Sequence, residues 1–216
     1  MSINRRTILA AAGVGIAGAA AAEGARIDFE TATPGSLPDG VSTGLTGGGG
    51  PVKWTIIEDQ SAPAGPKVLA QTSTDKTDNR FPLAIFAQPL LANLDLAVKF
   101  KAVAGEVDRA GGIVLRLTDA NNYYVLRANA LEDNVRLYRV VKGNRIQFAG
   151  ASAKVASGVW HELRLRAEGP KFEVFFNGRS LYTATDPTFA NAGRVALWTK
   201  ADSVTYFDAL SVTPLP

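Results

Sequence analysis

Residues 160–185 read WHELRLRAEGPKFEVFFNGRSLYTAT. Polar and apolar side chains alternate from His161 to Arg166, which is the period of a β-strand with one buried face. A second strand-like run, Lys171 to Phe176, ends at Asn177-Gly178, the dipeptide most typical of a two-residue hairpin turn. Leu181 to Ala184 supplies the returning strand. This stretch therefore predicts short antiparallel strands.

The same kind of pattern extends through most of the chain, and no long amphipathic helix is predicted. The other strand-like runs are Leu94–Lys101, Ile113–Thr118, Tyr123–Ala128, Val135–Val141, Arg145–Phe148, Arg194–Thr199 and Val204–Val212. Many short strands at regular spacing predict an all-β, two-sheet antiparallel sandwich. The Gly- and Pro-rich segment 31–51 is interpreted as a long loop that follows an N-terminal edge strand. Residues 23–216 are predicted to form a single domain, with Phe100, Trp160, Phe175 and Phe207 in its core.

Composition excludes several kinds of chemistry. The 216 residues contain no Cys, so disulfides, thiolate metal sites and cysteine nucleophiles are excluded. His161 is the single histidine, which excludes a site with several histidine ligands. The formal net charge is +3 at pH 7, too small to predict nucleic-acid binding.

Residues 1–22, MSINRRTILAAAGVGIAGAAAA, have the form of a signal peptide. A basic start precedes an apolar stretch too short to span a bilayer, and Ala20-Ala21-Ala22 suits a cleavage site. Asn4 to Leu9 resembles the twin-arginine export motif; a general secretory signal and a retained anchor are the alternatives. We expect an exported, periplasmic or extracellular protein with no membrane span in the mature chain.

Five segments carry a resemblance to a known superfamily. They are Gly111–Arg116, Asp119–Val125, Trp160–Arg164, Phe172–Gly178 and Tyr206–Leu210. The chain resembles the concanavalin A-like, laminin-G-like jelly rolls. Within them it is most similar to bacterial exported domains described as 3-keto-disaccharide hydrolase-like, or family 16 glycoside hydrolase-like. That superfamily includes lectins, carbohydrate-binding modules, glucanases and adhesive domains, so the resemblance implies the fold and leaves the function open.

Catalytic candidates are few. Family 16 glucanases carry Glu-x-Asp-x-x-Glu on one strand, but here Glu106-Val107-Asp108 is followed by Gly111 where the third acid would stand. For a hydrolase or lyase acting on 3-keto-glycosides, Glu132 and His161 are the candidate residues. If Trp160 points into the core, strand alternation turns His161 outward, where a structural role at a strand edge is the alternative.

A polar and aromatic set of side chains predicts a sugar-binding face. Arginine forks hydrogen-bond hydroxyl and carboxylate oxygens, and aromatic rings offer stacking faces. On such a face Arg127 is expected to be exposed, so its removal should weaken ligand binding and leave stability nearly unchanged. The alternative is an ordinary solvated outer face that binds no ligand. The predicted ligand-binding residues are Arg116, Tyr123, Arg127, Asn129, Glu132, Asn134, Arg136, Trp198 and Lys200.

The resemblance also implies a structural calcium, because similar jelly rolls hold one between an acid near the first strand and an Asp on the last strand. The matching residues are Asp28 or Glu30 and Asp208, and edge-strand carboxylates facing water are the alternative.

Taken together, the sequence predicts an exported domain that binds a glycan. A 3-keto-glycoside hydrolase or lyase and a structural or adhesive domain of the cell envelope are the alternatives.

Overall fold

The structure is a computed structural model that describes residues 24–216, and within that range the chain forms strands and no helix. The predicted all-β sandwich is therefore confirmed, whereas the predicted signal peptide lies outside the described residues. No helix in the described range could cross a membrane. The strands are β1 (Ala25–Ile27), β2 (Val41–Gly47), β3 (Trp54–Glu58), β4 (Lys67–Gln71), β5 (Arg80–Phe86), β6 (Leu94–Ala104), β7 (Ala110–Asp119), β8 (Asn122–Asn129), β9 (Asn134–Val141), β10 (Asn144–Ser152), β11 (Trp160–Glu168), β12 (Lys171–Phe176), β13 (Arg179–Thr185), β14 (Arg194–Thr199) and β15 (Val204–Pro214).

Two antiparallel sheets pack face to face. The larger sheet has the order β13-β12-β11-β6-β15-β4-β3, with β1 also paired to β15. The smaller, seven-stranded sheet has the order β10-β9-β8-β7-β14-β5-β2. The Asn177-Gly178 turn joins β12 to β13, and both residues have positive φ angles (50° and 76°), as a type I′ hairpin turn requires.

The segment 31–51 is not the continuous loop that its composition predicted. Val41 to Gly47 forms β2 and pairs with β5 along its whole length at the edge of the seven-stranded sheet. The sequence VSTGLTG lacks clear alternation, and its glycines weaken the strand signal. Pairing with β5 supplies the hydrogen bonds that local propensity does not predict.

The main core lies between the sheets, and it corrects two of the predicted core aromatics. Phe100 and Phe207 are fully buried there, but Trp160 and Phe175 are half-buried on the outer surface of the larger sheet. On β11, Leu163 and Leu165 point into the core. Because side chains alternate along a strand, His161 points inward with them and Trp160 points outward. The prediction failed because Trp160 and Phe175 alternate with the positions that enter the core, which are Leu163 and Leu165 on β11 and Phe172, Val174 and Phe176 on β12.

A second apolar layer covers the other face of the seven-stranded sheet. It consists of Phe81, Leu83, Ile85, Ala110, Val114, Leu117, Tyr123, Val125, Tyr138, Val140, Ala196 and Trp198. Arg145 on β10 contacts the ring of Phe81 on β5, although those strands are five positions apart in the sheet. A flat sheet would separate them by about 24 Å, at about 4.8 Å per strand. The sheet is therefore strongly curled, and we call this its concave face.

Candidate functional site

A single row of residues crosses the concave face where the predicted site residues meet. Arg136 pairs with Arg127, Arg127 with Gly112, and Gly112 with Trp198, on four neighbouring strands. Gly112 is required in this row, because an added Cβ would lie 2.8 Å from the Leu126 carbonyl oxygen and 3.3 Å from the Trp198 ring. The missing side chain lets the Trp198 indole approach the backbone of β7 closely, beside Arg127.

Arg127 is buried, with 2% of its surface exposed, and not solvated as the sequence interpretation assumed. Its Nη2 donates to Glu132 Oε2 (2.9 Å) and to the Tyr138 hydroxyl (3.0 Å). The Nε and Nη1 atoms are buried without a hydrogen-bond partner. Buried N–H donors are nearly always paired, so these two atoms are candidates to donate to an oxygen atom that enters the site.

Glu132 forms the exposed rim above Arg127. Burial opposes its ionisation, but hydrogen bonds from Arg127 and Asn134 and the positive charges of Arg127 and Arg136 lower its pKa to about 2. The Asn134 amide donates to Glu132 Oε2 at 2.9 Å, which fixes the carboxylate from a second side. Glu132 is therefore an ionised hydrogen-bond acceptor at neutral pH and carries no proton to donate as a general acid.

Arg145 reaches across the concave face from the edge strand β10. Its guanidinium carbon lies 4.5 Å from the centre of the Tyr138 ring, 4.8 Å from Phe81 and 5.7 Å from Trp198. These are distances at which a cation is attracted to an aromatic face. The guanidinium therefore covers three rings that would otherwise offer stacking surfaces, and its own Nη1 atom is buried without a partner.

A lysine completes the site on the side of β14. Lys200 Nζ lies 3.0 Å from Asp108 Oδ2 and 2.6 Å from Asp78 Oδ1. Asp108 is almost fully buried, and burial raises its pKa despite the positive charges of Lys200 and Arg127. Asn129 donates to the other Asp108 oxygen at 2.7 Å.

We call Arg127, Arg136, Arg145 and Lys200 the cationic cluster. Arg127 is its buried floor, whereas Arg136, Arg145 and Lys200 are half-buried and reach solvent. Their N–H groups can donate to hydroxyl, carboxylate or phosphate oxygens, and the arginine forks can do so in pairs. The arrangement is suited to holding an oxygen-rich ligand where Arg136, Arg145 and Lys200 reach solvent, which we call the open end of the concave face.

The structure brings most of the predicted ligand-binding residues together, with three differences. Arg116 lies elsewhere: it turns away at a β-bulge, and its guanidinium donates to the carbonyl oxygens of Ala92, Phe189 and Gly169. Tyr123 and Trp198 are on the concave face but fully buried, so they offer no open stacking surface.

Some residues of the site were missed by the sequence analysis. Arg145, Tyr138 and Asp108 were not predicted to belong to it. A signal for Arg145 was present, because the Lys142-Gly143 turn sets the register that places Arg145 opposite Val140, on the same face as Tyr138. The contacts of Arg145 with Phe81 and Trp198 are too distant in sequence to be predicted from register.

The two catalytic candidates do not meet. His161 is buried on β11 in the larger sheet, where its ring packs against Phe100 and Phe176. Its Nε2 contacts the Ala156 carbonyl oxygen at 3.1 Å and its Nδ1 contacts the Asn177 amide at 3.0 Å. These partners satisfy both ring nitrogens and give His161 a structural role at the β12–β13 turn. Glu132 follows β8 in the other sheet.

The predicted calcium ligands lie near one another at a corner of the sandwich. Burial raises the pKa of Asp208, backbone N–H groups of Ala64 and Ala209 oppose this, and the negative charges of Glu30 and Asp28 add to it. The Lys67 backbone N–H binds Glu30 Oε1 at 2.8 Å. Nevertheless, no three metal-ligating side chains in residues 24–216 are grouped to hold an ion. Calcium at this corner stays a prediction.

A family comparison is consistent with this architecture. The model for the family described as "Galactocerebrosidase, C-terminal lectin domain" matches residues 96–215, which include every strand from β7 to β15 and most of β6. None of the curated proteins matches the chain.

Solved structures share the fold at low sequence identity. The carbohydrate-binding module CBM66 from Bacillus subtilis superposes with a TM-score of 0.62 and is 18% identical, over 80% of this chain and 94% of that one. A Bacillus licheniformis β-glucanase superposes with a TM-score of 0.60 and is 10% identical, over 90% of this chain and 99% of that one. A prokaryotic β-1,3-1,4-glucanase (lichenase) from a mouse hindgut metagenome superposes with a TM-score of 0.55 and is 9% identical, over 89% of this chain and 100% of that one. The resemblance to the concanavalin A-like jelly rolls is thus confirmed as a resemblance of fold.

Proposed function

Because the chain belongs to the family of galactocerebrosidase C-terminal lectin domains, we propose that it is an exported carbohydrate-binding domain. Its glycan site is the cationic cluster at the open end of the concave face. The fold likeness to the Bacillus subtilis carbohydrate-binding module supports a binding function, but β-glucanases share the fold almost equally, so the choice between binding and catalysis rests on the site residues.

The observation that carries the proposal is the buried guanidinium of Arg127. Two of its nitrogens, Nε and Nη1, lack partners, while Nη2 donates to Glu132 and Tyr138. A buried donor left without a partner costs about 1–3 kcal/mol of free energy. A ligand hydroxyl oxygen placed there would accept this hydrogen bond, and the ionised Glu132 beside it would accept a hydrogen bond from a second hydroxyl group. Paired donors and acceptors of this kind match the vicinal hydroxyls of a sugar.

Catalysis receives no comparable support. Glu132 is already ion-paired with Arg127, and His161 is enclosed in the other sheet with both nitrogens engaged. Asp108 of the Glu106-Val107-Asp108 segment is buried, whereas Glu106 is exposed and pairs with Lys76. Neither arrangement provides the two facing carboxyl groups that glycoside hydrolysis uses.

The test is a glycan array followed by calorimetry of the mature chain. We expect a saccharide to bind, and Arg136→Ala to weaken its affinity about tenfold, as the loss of one charge-assisted hydrogen bond predicts. The matched control is Arg179→Ala, an exposed arginine on β13 in the other sheet. Equal binding by wild type and Arg136→Ala would place the site elsewhere, and binding of no glycan would refute the function.

Export is a separate part of the proposal and rests on residues 1–22, which the structure does not describe. We expect the secreted protein to begin after Ala22, and a change of Arg5 and Arg6 to Lys to trap precursor if the route is twin-arginine. Intact-mass spectrometry of the exported protein decides the first point. A mass that still includes Met1 would contradict cleavage.

A further inference from the structure

The rings of the concave face are closed to a sugar. Trp198 and Tyr123 are fully buried, and the guanidinium of Arg145 covers the Trp198, Tyr138 and Phe81 rings. Neutral saccharides are commonly held by C–H groups stacked on an open aromatic face, and this site has no such face. Recognition must therefore proceed through the charged groups at the rim.

The members of the cationic cluster differ in whether a carboxylate neutralises them. Arg127 is neutralised by Glu132, and Lys200 lies between Asp108 and Asp78. Arg136 instead binds the neutral Gln147 side chain at 2.8 Å. In the described part of the chain, neither Arg136 nor Arg145 forms an ion pair. Two half-buried guanidinium groups thus reach solvent without a carboxylate at ion-pair distance, although Glu132 is near enough to Arg136 for the two charges to interact.

Among the buried atoms of the site that lack a hydrogen-bond partner, donors outnumber acceptors. Arg127 Nε, Arg127 Nη1, Arg145 Nη1 and Trp198 Nε1 are buried donors without hydrogen-bond partners. The unpartnered acceptors are the Asn134 side-chain oxygen and Asp108 Oδ2, and the latter is ion-paired with Lys200 at 3.0 Å. An excess of donors calls for a ligand that is rich in acceptors. A carboxylate offers about four acceptor positions and no donor, and it pairs with an arginine fork through two parallel hydrogen bonds.

We propose that the ligand is an acidic saccharide, a uronic-acid-containing chain whose carboxylates are bound by Arg136 and Arg145. This inference rests on the proposed carbohydrate-binding function and specifies its substrate class. Arg127 pairs with Arg136 across the neighbouring strands, and its unpartnered Nε and Nη1 atoms add hydrogen-bond donors to those of Arg136 and Arg145. Arg145 contributes the stronger discrimination, because the aromatic rings that hold its guanidinium cannot neutralise the charge.

The experiment compares matched saccharides on the mature chain. Trigalacturonate, trimannuronate and triguluronate are each titrated alongside the same trimer with its carboxylates reduced to primary alcohols. We expect at least one uronate to bind about tenfold or more tightly than its reduced form. Raising the salt from about 0.05 M to about 0.5 M should weaken uronate binding, because screening shortens the range of the attraction.

Variants assign the effect to the two arginines. Arg136→Gln and Arg145→Gln should each weaken uronate binding about tenfold and leave any weak binding of the reduced trimer unchanged. Arg179→Gln removes the same charge from the other sheet and should have no effect on either titration. Circular dichroism melts confirm that each variant is folded, and Arg145→Lys retains the charge if Arg145→Gln fails to fold.

The possible failures are distinguishable. If a neutral glycan of the array binds and none of the uronates does, or if each reduced trimer binds as tightly as its uronate, the acidic-ligand inference is overturned while the proposed function stands. If neither the uronates, the reduced trimers nor any glycan of the array binds, the proposed function fails with it. Uronate binding that Arg136→Gln and Arg145→Gln both leave intact would also overturn the inference.

Discussion

The guanidinium carbon of Arg145 lies 4.5 Å from the centre of the Tyr138 ring, whose hydroxyl accepts a hydrogen bond from Arg127 at 3.0 Å. Tyr138 therefore links the half-buried Arg145 to Arg127, the buried floor of the cationic cluster. Its ring face binds one arginine and its hydroxyl binds another. Because these contacts connect the residues of the site, substitution of Arg127 should lower the stability of the folded protein.

Arg127→Ala tests that consequence. Removal of the guanidinium leaves the Tyr138 hydroxyl and the Glu132 carboxylate without a partner, so we expect a loss of about 1–3 kcal/mol in the free energy of unfolding. Urea denaturation measures it, with Arg179→Ala, an exposed arginine, expected to stay within about 0.5 kcal/mol of wild type. A wild-type midpoint for Arg127→Ala would show that Arg127 is solvated, as the sequence had suggested.

Glu132 should make stability depend on pH in acid. Its pKa falls from its usual 4.5 to about 2 in the folded protein, so the contribution is fully present above pH 4.5 and is lost as the pH falls towards 2. Urea denaturation of wild type and Glu132→Gln across this range gives the difference between them. That difference should shrink as Glu132 is protonated, and a difference independent of pH would contradict the ion pair.

Two tryptophans on opposite sides of the molecule should respond differently to the same substitution. Trp198 is fully buried in the second apolar layer, so Trp198→Ala should cost roughly 3–5 kcal/mol. Trp160 is half-exposed, and its contacts are a hydrogen bond to Ser61 and the ammonium group of Lys101. Trp160→Ala should cost less than about 2 kcal/mol. Equal losses in thermal or urea denaturation would mean that the orientation of β11 is wrong.

Calcium can be tested at the corner formed by Asp208, Glu30 and Asp28. A bound cation would offset the mutual repulsion that contributes to the raised pKa of Asp208. We expect millimolar calcium to raise the melting temperature of wild type, and the rise to disappear in Asp208→Asn. Magnesium serves as the control ion, because it rarely accepts an all-protein oxygen site. A wild-type melting temperature unaffected by calcium would remove the predicted site.

Local sequence was sufficient for much of the fold. Period-two alternation predicted the strands from Leu94 onward, and Asn177-Gly178 predicted the hairpin, because both signals depend on neighbouring residues alone. Alternation also placed Arg127 and Arg136 together, since a register of adjacent strands follows from short turns. Strand β2 was missed because its pairing partner β5, and not its own composition, stabilises it.

Which faces are enclosed was decided by the tertiary structure. Alternation divides a strand into two sides but does not say what covers either one. Register shifts at β-bulges in β10, β7 and β14 accompany the curl of the seven-stranded sheet. The curl brings Arg145 over Phe81, which is 64 residues earlier in the chain. The sequence by itself determined a sandwich with arginines on one side of a sheet; only the summed curvature of seven strands buried Arg127 and Trp198, and left Arg136 and Arg145 facing solvent.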